Sequence, residues 1–319
     1  MKDTDYAFAV AKVKQLENNL LTKPQTDSLI NAVTVDEIMS FLSSKGWNTS
    51  STPDEMLENE LSATFETVSE LAEDNPAFKV FILGNDFHNL KAAIKTAASG
   101  SDPQEYYIRP TSLDLENLYK DISGRNFDNL PDYMKQAAKS AFESLAKYND
   151  GQAVDTVIDR YTLGALMDNA AESGSVLAQK YAEITAAAAN IKIAFRGAEA
   201  LKKYEFFEEA LSSGTQLNKE KLARAAAKGS AEVLSVAEEA YPELAQALSA
   251  GISELEKVSE ELVAQAVADS SFSAFGIDPI IAYYWKKTAE IKNIRIIITC
   301  KNMGLGPEKI SERVREINV

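Results

Sequence analysis

The sequence predicts an all-α protein on three observations. Helix-start signals recur from end to end. The segments between them are rich in Ala, Glu, Lys and Leu, and paired strand runs around Asn-Gly or Asp-Gly turns are nearly missing. A start is legible where a Ser, Thr, Asp or Asn side chain accepts from a backbone N–H that the first helical turn leaves unpaired. Thr34 with Glu37 and Thr52 with Glu55 fit the reciprocal capping box, the second with Pro53 at the first helical position. Asn75-Pro76 and Asp278-Pro279 repeat the cap-then-proline order. Between such marks run stretches such as "NKEKLARAAAKGSAEVLSVAEEAYPELAQAL", which have high helix propensity. The one serious strand candidate is "IRIIIT", residues 294–299, too short for periodicity alone to decide.

A repeat decides it. Aligned on asparagine, "NDFHNLKAAIK" around Asn89, "AAAANIKIAFR" around Asn190 and "AEIKNIRIIIT" around Asn293 share Asn, an aliphatic residue, then Lys or Arg. The asparagines are 101 and 103 residues apart, close to a third of the chain. In the first copy Val80, Leu83, Phe87, Leu90 and Ile94 alternate steps of three and four, one apolar stripe of a helix. The second copy matches with Tyr181, Ile184, Ala188, Ile191 and Phe195; the third with Tyr284, Lys287, Ile291, Ile294 and Ile298, where only Lys287 breaks the stripe. "IRIIIT" therefore reads as buried helix. The pattern predicts three helical units, 1–105, 106–214 and 215–319, with motif helices ending near 97, 198 and 300. Joints are expected at "ASGSDPQ" (98–104) and "LSSGTQLN" (211–218), where Gly, Ser, Asp and Asn cluster.

Composition limits what such units do. The chain has 319 residues, 45% hydrophobic and 25% charged, which suits a folded protein with a sizeable core. A net charge of −15 is the wrong sign for tracking nucleic acid or adsorbing to anionic lipid. A lone Cys300 rules out an internal disulfide, and with one histidine the usual zinc sites are not available. The opening "MKDTDYAFAVAKVKQLE" reads as a helix rather than a signal peptide, and no apolar run reaches the roughly 18–20 residues of a membrane span.

The stretch "GNDFHNLKAAIK" sets Asp86, the only histidine, His88, and Asn89 and Lys91 within six positions, which invites an active-site reading. Helical geometry argues otherwise. At about 100° per residue Asp86 and His88 lie about 200° apart and cannot form a local acid/base dyad. Asp86 and Asn89 share a face, and Lys91 flanks the apolar stripe. The later copies keep Asn and the basic residue but replace His88 by Ala189 and Lys292, and Asp86 by Ala187 and Glu290. "AAAKGS" (225–230) lacks the glycine spacing of a phosphate loop, and "GLGPEK" (304–309) lacks the third glycine of a dinucleotide fingerprint. No catalytic, cofactor or metal residue is assigned. The recurring Lys91, Lys192, Arg295, Asn89, Asn190 and Asn293 are expected either to contact a partner or to brace neighbouring helices.

Three stretches resemble the C-subunit family of the V/A-type rotary ATPases, related to the d component of eukaryotic vacuolar ATPases: "YAFAVAKVKQLENNLL" (6–21), "NDFHNLKAAIK", and "DPIIAYYWKKTAEIKNIRIIITCKNMGLGPEKISERVREINV" (278–319). The likeness runs end to end. It departs at Ala187, where the family pattern leads one to expect an acid, and at Lys12 and Lys14, where arginines are typical. The resemblance implies three similar helical subdomains in a pseudo-threefold funnel. It also implies a non-catalytic rotor subunit, one copy per complex, at the cytoplasmic face of the membrane. There it would join the D and F subunits of the central shaft to the membrane proteolipid ring for ATP-linked proton or sodium transport. The alternatives are a free-standing helical adaptor, or a hydrolase using Asp86 and His88 with groups from other helices.

Overall fold

The computed structural model describes residues 6–315. Among them are seventeen α-helices and no β-strand. The first are α1 (Ala7–Glu17), α2 (Lys23–Asn31), α3 (Val35–Ser44), α4 (Pro53–Ala72) and the single turn α5 (Pro76–Lys79). The expected caps explain two of these starts. Thr34 Oγ1 accepts from Glu37 N–H at 3.2 Å and Thr52 Oγ1 from Glu55 N–H at 3.3 Å. The reciprocal glutamates reach one residue further out, to the N–H of Val33 and Ser51. Asn75 caps α5 through Ala77 N–H at 2.8 Å.

There follow α6 (Leu83–Ser99), α7 (Leu115–Ser123), α8 (Asp132–Tyr148), α9 (Gly151–Ser173), α10 (Val176–Glu199), α11 (Tyr204–Ala210), α12 (Lys219–Ala226), α13 (Ser230–Ala240) and α14 (Pro242–Ala250). Last come α15 (Ile252–Ser271), α16 (Asp278–Asn302) and α17 (Pro307–Ser311). "IRIIIT" lies within α16, as the stripe predicts. The Asp-Pro start is displaced by one position: Ile277 is the N-cap, and Asp278 and Pro279 are already helical. The motif helices end at Ser99, Glu199 and Asn302, within two residues of expectation.

The chain forms two compact units, one of Met1–Phe78 with Ala264–Val319 and the other of Lys79–Val263. The second contains two apolar cores. One gathers α6, α7, α8 and α9 around Phe87, Leu90, Ile122, Met134 and Ile158; the other gathers α10 to the start of α15 around Ile191, Phe207, Leu222, Val233 and Leu255. The first unit has a core of Ile38, Leu42, Met56 and Leu57 from the N-terminal segment with Ile291, Ile294, Ile297 and Ile310 from the C-terminal one. The cores therefore do not follow chain thirds. Segment 98–104 runs from the last residues of α6 through a short loop to a 3-10 turn at Gln104–Tyr106, and 211–218 is a loop, but each lies inside the span of one core, and Leu211 and Leu217 are core members themselves.

The first and third apolar stripes are buried throughout, Lys287 included. In the second, Tyr181, Ile184, Ala188 and Phe195 are only half buried. The most deeply covered face of α10 is that of Ala182, Ala186, Ala187, Ile191 and Ala194. Small side chains let a neighbouring helix approach closely, so the alanine face turns inward in place of the larger apolar stripe.

Two helical glycines give a paired test. A Cβ on Gly197 would meet the buried Phe207 ring, with Cζ at 2.9 Å, whereas nothing lies within 4 Å of one on Gly164 in α9. Denaturation of Gly197→Ala should show a loss of about 1–3 kcal/mol from overpacking. Gly164→Ala should gain about 0.4–1 kcal/mol through lower chain entropy of the unfolded state.

Candidate functional site

A buried side-chain amide needs partners for both its donor and its acceptor, or it costs more than an apolar residue of the same size. Asn89, Asn190 and Asn293 are 0%, 1% and 5% exposed. Each meets the need in the same way, by bracketing the backbone of one residue in a non-helical strap downstream. Asn89 Oδ1 accepts from Ile108 N–H at 2.8 Å and its Nδ2 donates to Ile108 C=O at 2.9 Å. Asn190 holds Ser212 with 3.0 and 3.1 Å bonds, and Asn293 holds Arg315 with 3.0 and 2.8 Å bonds. The clamped residues lie 19, 22 and 22 positions after their asparagines. The straps carry backbone groups with no helical partner, which the amides supply.

A carboxylate extends the first clamp. Asp86, buried one turn before Asn89, accepts from Ser112 N–H at 2.9 Å and from the Thr111 and Ser112 hydroxyls. Tyr133 OH lies 3.5 Å from its other side, and burial first, then the Asp86 charge, pushes the Tyr133 phenol up to about 12. In the second copy, where Ala187 stands at this position, Glu183 one turn earlier takes over. It accepts from Gln216 N–H at 2.8 Å and from the Tyr241 hydroxyl. Gln216 follows the clamped Ser212 by four residues, as Ser112 follows Ile108. In the third copy Glu290 accepts from Leu21 N–H at 2.5 Å.

The basic residues are ion-paired. Lys91 Nζ is 2.6 Å from Asp159 and 3.8 Å from Asp155, both on α9. Lys192 is 3.0 Å from Glu256 on α15, and Arg295 is 3.2 Å from Asp54 on α4. Each motif helix is thus tied to a long helix: α6 to α9, α10 to α15, and α16 to α4. These pairs are partly solvated, so each is worth about 0–1 kcal/mol. His88 lies apart from Asp86. It is exposed, with Nε2 3.0 Å from Tyr106 C=O. The polar groups of the motif are thus directed at the protein's own backbone and at neighbouring helices, an arrangement that fixes shape.

The family described as ATP synthase (C/AC39) subunit matches residues 9–313. The chain belongs to that family. It is similar to the C subunit of the V-type sodium ATPase of Enterococcus hirae, at 24% identity over 82% of this chain and 81% of the relative. It is also similar to the C subunit of the A-type ATP synthase of Methanocaldococcus jannaschii, at 22% identity over 96% of this chain and 85% of the relative. No helix among the described residues is long and apolar enough to cross a membrane.

Glu183, the straps and the acidic partners are not among the residues that the sequence pattern singles out. The acid lost at Ala187 could have been sought one helical turn earlier, where a longer glutamate reaches the same place. The straps have no periodicity to find.

Asn190 and Ser212 are both fully enclosed, whereas Ile108 and Arg315 are partly open to water. Asn190→Ala should therefore cost the most, about 2–4 kcal/mol for two orphaned backbone groups, against about 1–2 kcal/mol for Asn89→Ala or Asn293→Ala. Asn190→Asp should not restore stability, because a carboxylate cannot donate to Ser212 C=O. Equilibrium urea unfolding of the four variants checks the order.

Proposed function

We propose that this protein is the non-catalytic central-stalk component that couples the D and F subunits of the shaft to the membrane proteolipid ring in a V/A-type ATPase, serving ATP-linked proton or sodium transport. It works as a socket built from three copies of one braced helical unit. It sits peripherally at the cytoplasmic face, one copy per complex, and holds no cofactor.

The asparagine clamp, made three times, carries this reading. A coupler between rotating parts must transmit load without yielding. Each copy meets that need by fastening a loose strap to a rigid helix through a two-point hydrogen bond. Family membership supplies the context. Lys91, Lys192 and Arg295 brace helices in this reading, since each has an intramolecular acid within reach. The net charge of −15 favours basic partner surfaces over anionic lipid.

Affinity capture from membranes should recover shaft subunits and the proteolipid ring together; capture of the intact protein without either would favour a free-standing adaptor. Shaft binding should weaken as ionic strength rises, and an affinity independent of salt would remove the electrostatic contribution. His88→Ala should leave assembly and ATP-driven ion transport intact; loss of activity in an assembled complex would instead support the hydrolase reading. Changing Lys91, Lys192 and Arg295 together to Ala should lower stability by no more than about 3 kcal/mol in total while the assembled protein still captures its partners. A stable variant that loses them would place these residues at the interface.

A further inference from the structure

The third copy of the motif differs from the others in how its partners reach it. The cores around α6 and around α10 are each made from one continuous run, so each motif helix is tethered by a short chain to the helices it packs against. The core around α16 is made from opposite ends of the sequence, so α16 meets α1 and α4 without such a tether. In this copy alone a charged residue occupies the apolar stripe. Lys287 stands where the first copy has Leu83 and the second Ile184.

Lys287 is 4% exposed, and its ammonium is fully engaged. Nζ lies 2.9 Å from Glu60 on α4, 2.8 Å from Glu290 one turn along α16, and 4.2 Å from the centroid of the Trp47 ring. Glu290 in turn accepts from Leu21 N–H at 2.5 Å, which fixes the segment after α1. The adjacent Lys286 is 3.5 Å from Glu17, which also receives Lys14 at 2.8 Å; Lys14 further donates to Ser271 C=O at 2.6 Å. Three lysines and three glutamates from α1, α4 and α16 thus form a neutral patch of two clusters, Lys287 with Glu60 and Glu290, and Lys14 and Lys286 with Glu17. Tyr283 sits in it, its phenol pushed well above the ordinary range by burial first and then by Glu60, Glu290 and Glu17. The helices are complementary on a larger scale too. α4 carries six acidic side chains and no basic one, while α16 carries five basic against two acidic.

Buried ion pairs are poor sources of stability, because desolvation offsets most of the attraction, but they penalise any arrangement that leaves a charge unpaired. Turning α16 by one residue rotates Lys287 by about 100°, and sliding it by one turn moves it about 5.4 Å. Either breaks the Lys287–Glu60 contact and the Leu21–Glu290 hydrogen bond, whereas the Lys287–Glu290 pair, internal to α16, moves with the helix. Apolar contacts between Ile291, Ile294 and Ile298 and the N-terminal core discriminate such slips weakly, because one aliphatic side chain replaces another. We propose that the Lys287–Glu60–Glu290 network is a docking key: it sets the register in which the C-terminal motif helix closes onto the N-terminal helices, a task that chain connectivity performs in the other two copies.

Hydrogen exchange read by mass spectrometry on the full chain tests this. Lys287→Met leaves the buried Glu290 and the half-buried Glu60 without the cation they share. It should speed exchange at least tenfold across 23–72 and 291–310 while 115–165 and 187–255 keep wild-type protection. The triple variant Glu60→Gln, Lys287→Met, Glu290→Gln removes the charges and keeps an acceptor for Leu21 N–H. After refolding from denaturant it should regain protection in 23–72 but as two populations, seen as bimodal isotope envelopes, where the wild type gives one. Wild-type exchange in Lys287→Met, or acceleration spread evenly over all three cores, overturns the proposal. So does a triple variant that refolds to a single wild-type population, or one that cannot fold, since the charges would then supply stability rather than register. If Lys287→Met alone yields no folded protein, the triple variant decides.

Discussion

One constraint organises the molecule: a buried amide must satisfy both of its hydrogen-bonding ends. Three asparagines do so with a single solution, bracketing the N–H and C=O of one backbone residue in a strap that has no helix of its own. An aliphatic residue would fill the space but leave the strap's polar groups unmatched in an apolar site. A carboxylate would accept but not donate. Asparagine is the side chain of that size with both functions, which is the physical reason it stands at the same place in all three copies while its neighbours change.

Around that constraint the chain shows which features have substitutes. Asp86 holds the far side of its strap, and the second copy keeps this contact without keeping the residue: Ala187 stands at the aligned position and Glu183 reaches across one turn of helix. Between these two copies the acid moves by one turn of helix while the strap position it serves stays four residues past the clamp; in the third copy Glu290 holds Leu21 N–H instead. The basic residue two places after each asparagine follows the same logic at lower cost. Lys91, Lys192 and Arg295 each find an acid on a long helix, through solvated pairs that orient helices without contributing much stability.

The pairing of helices explains why cores and chain thirds differ. The acid that receives each of the first two motif helices lies on the long helix preceding the next motif helix, and α16, at the end, is received by α4, at the beginning. A unit therefore runs from one motif helix to the long helix that follows it, and the unit begun by α16 is completed from the other end of the sequence. There the apolar stripe gives way to Lys287 and its two glutamates, because a joint between distant segments needs discrimination that a tethered joint does not.

The sequence by itself determined the helical class, the caps at Thr34 and Thr52, the inclusion of "IRIIIT" in a helix, and the equivalence of the three asparagines. All of these rest on local spacing, and a period of 3.6 is visible without knowing what lies opposite. It also determined that Asp86 and His88 diverge, because that is a property of one helix. Only the tertiary structure decided that the asparagines grip loops rather than helices, that Glu183 replaces the missing acid, and that the small alanine face of α10 is the deeper one. The same holds for Lys287, which interrupts a stripe in sequence yet is buried and paired in the fold. Each of these depends on groups some twenty to more than two hundred residues away, and a side chain's partner across such a distance leaves no periodic trace in the chain.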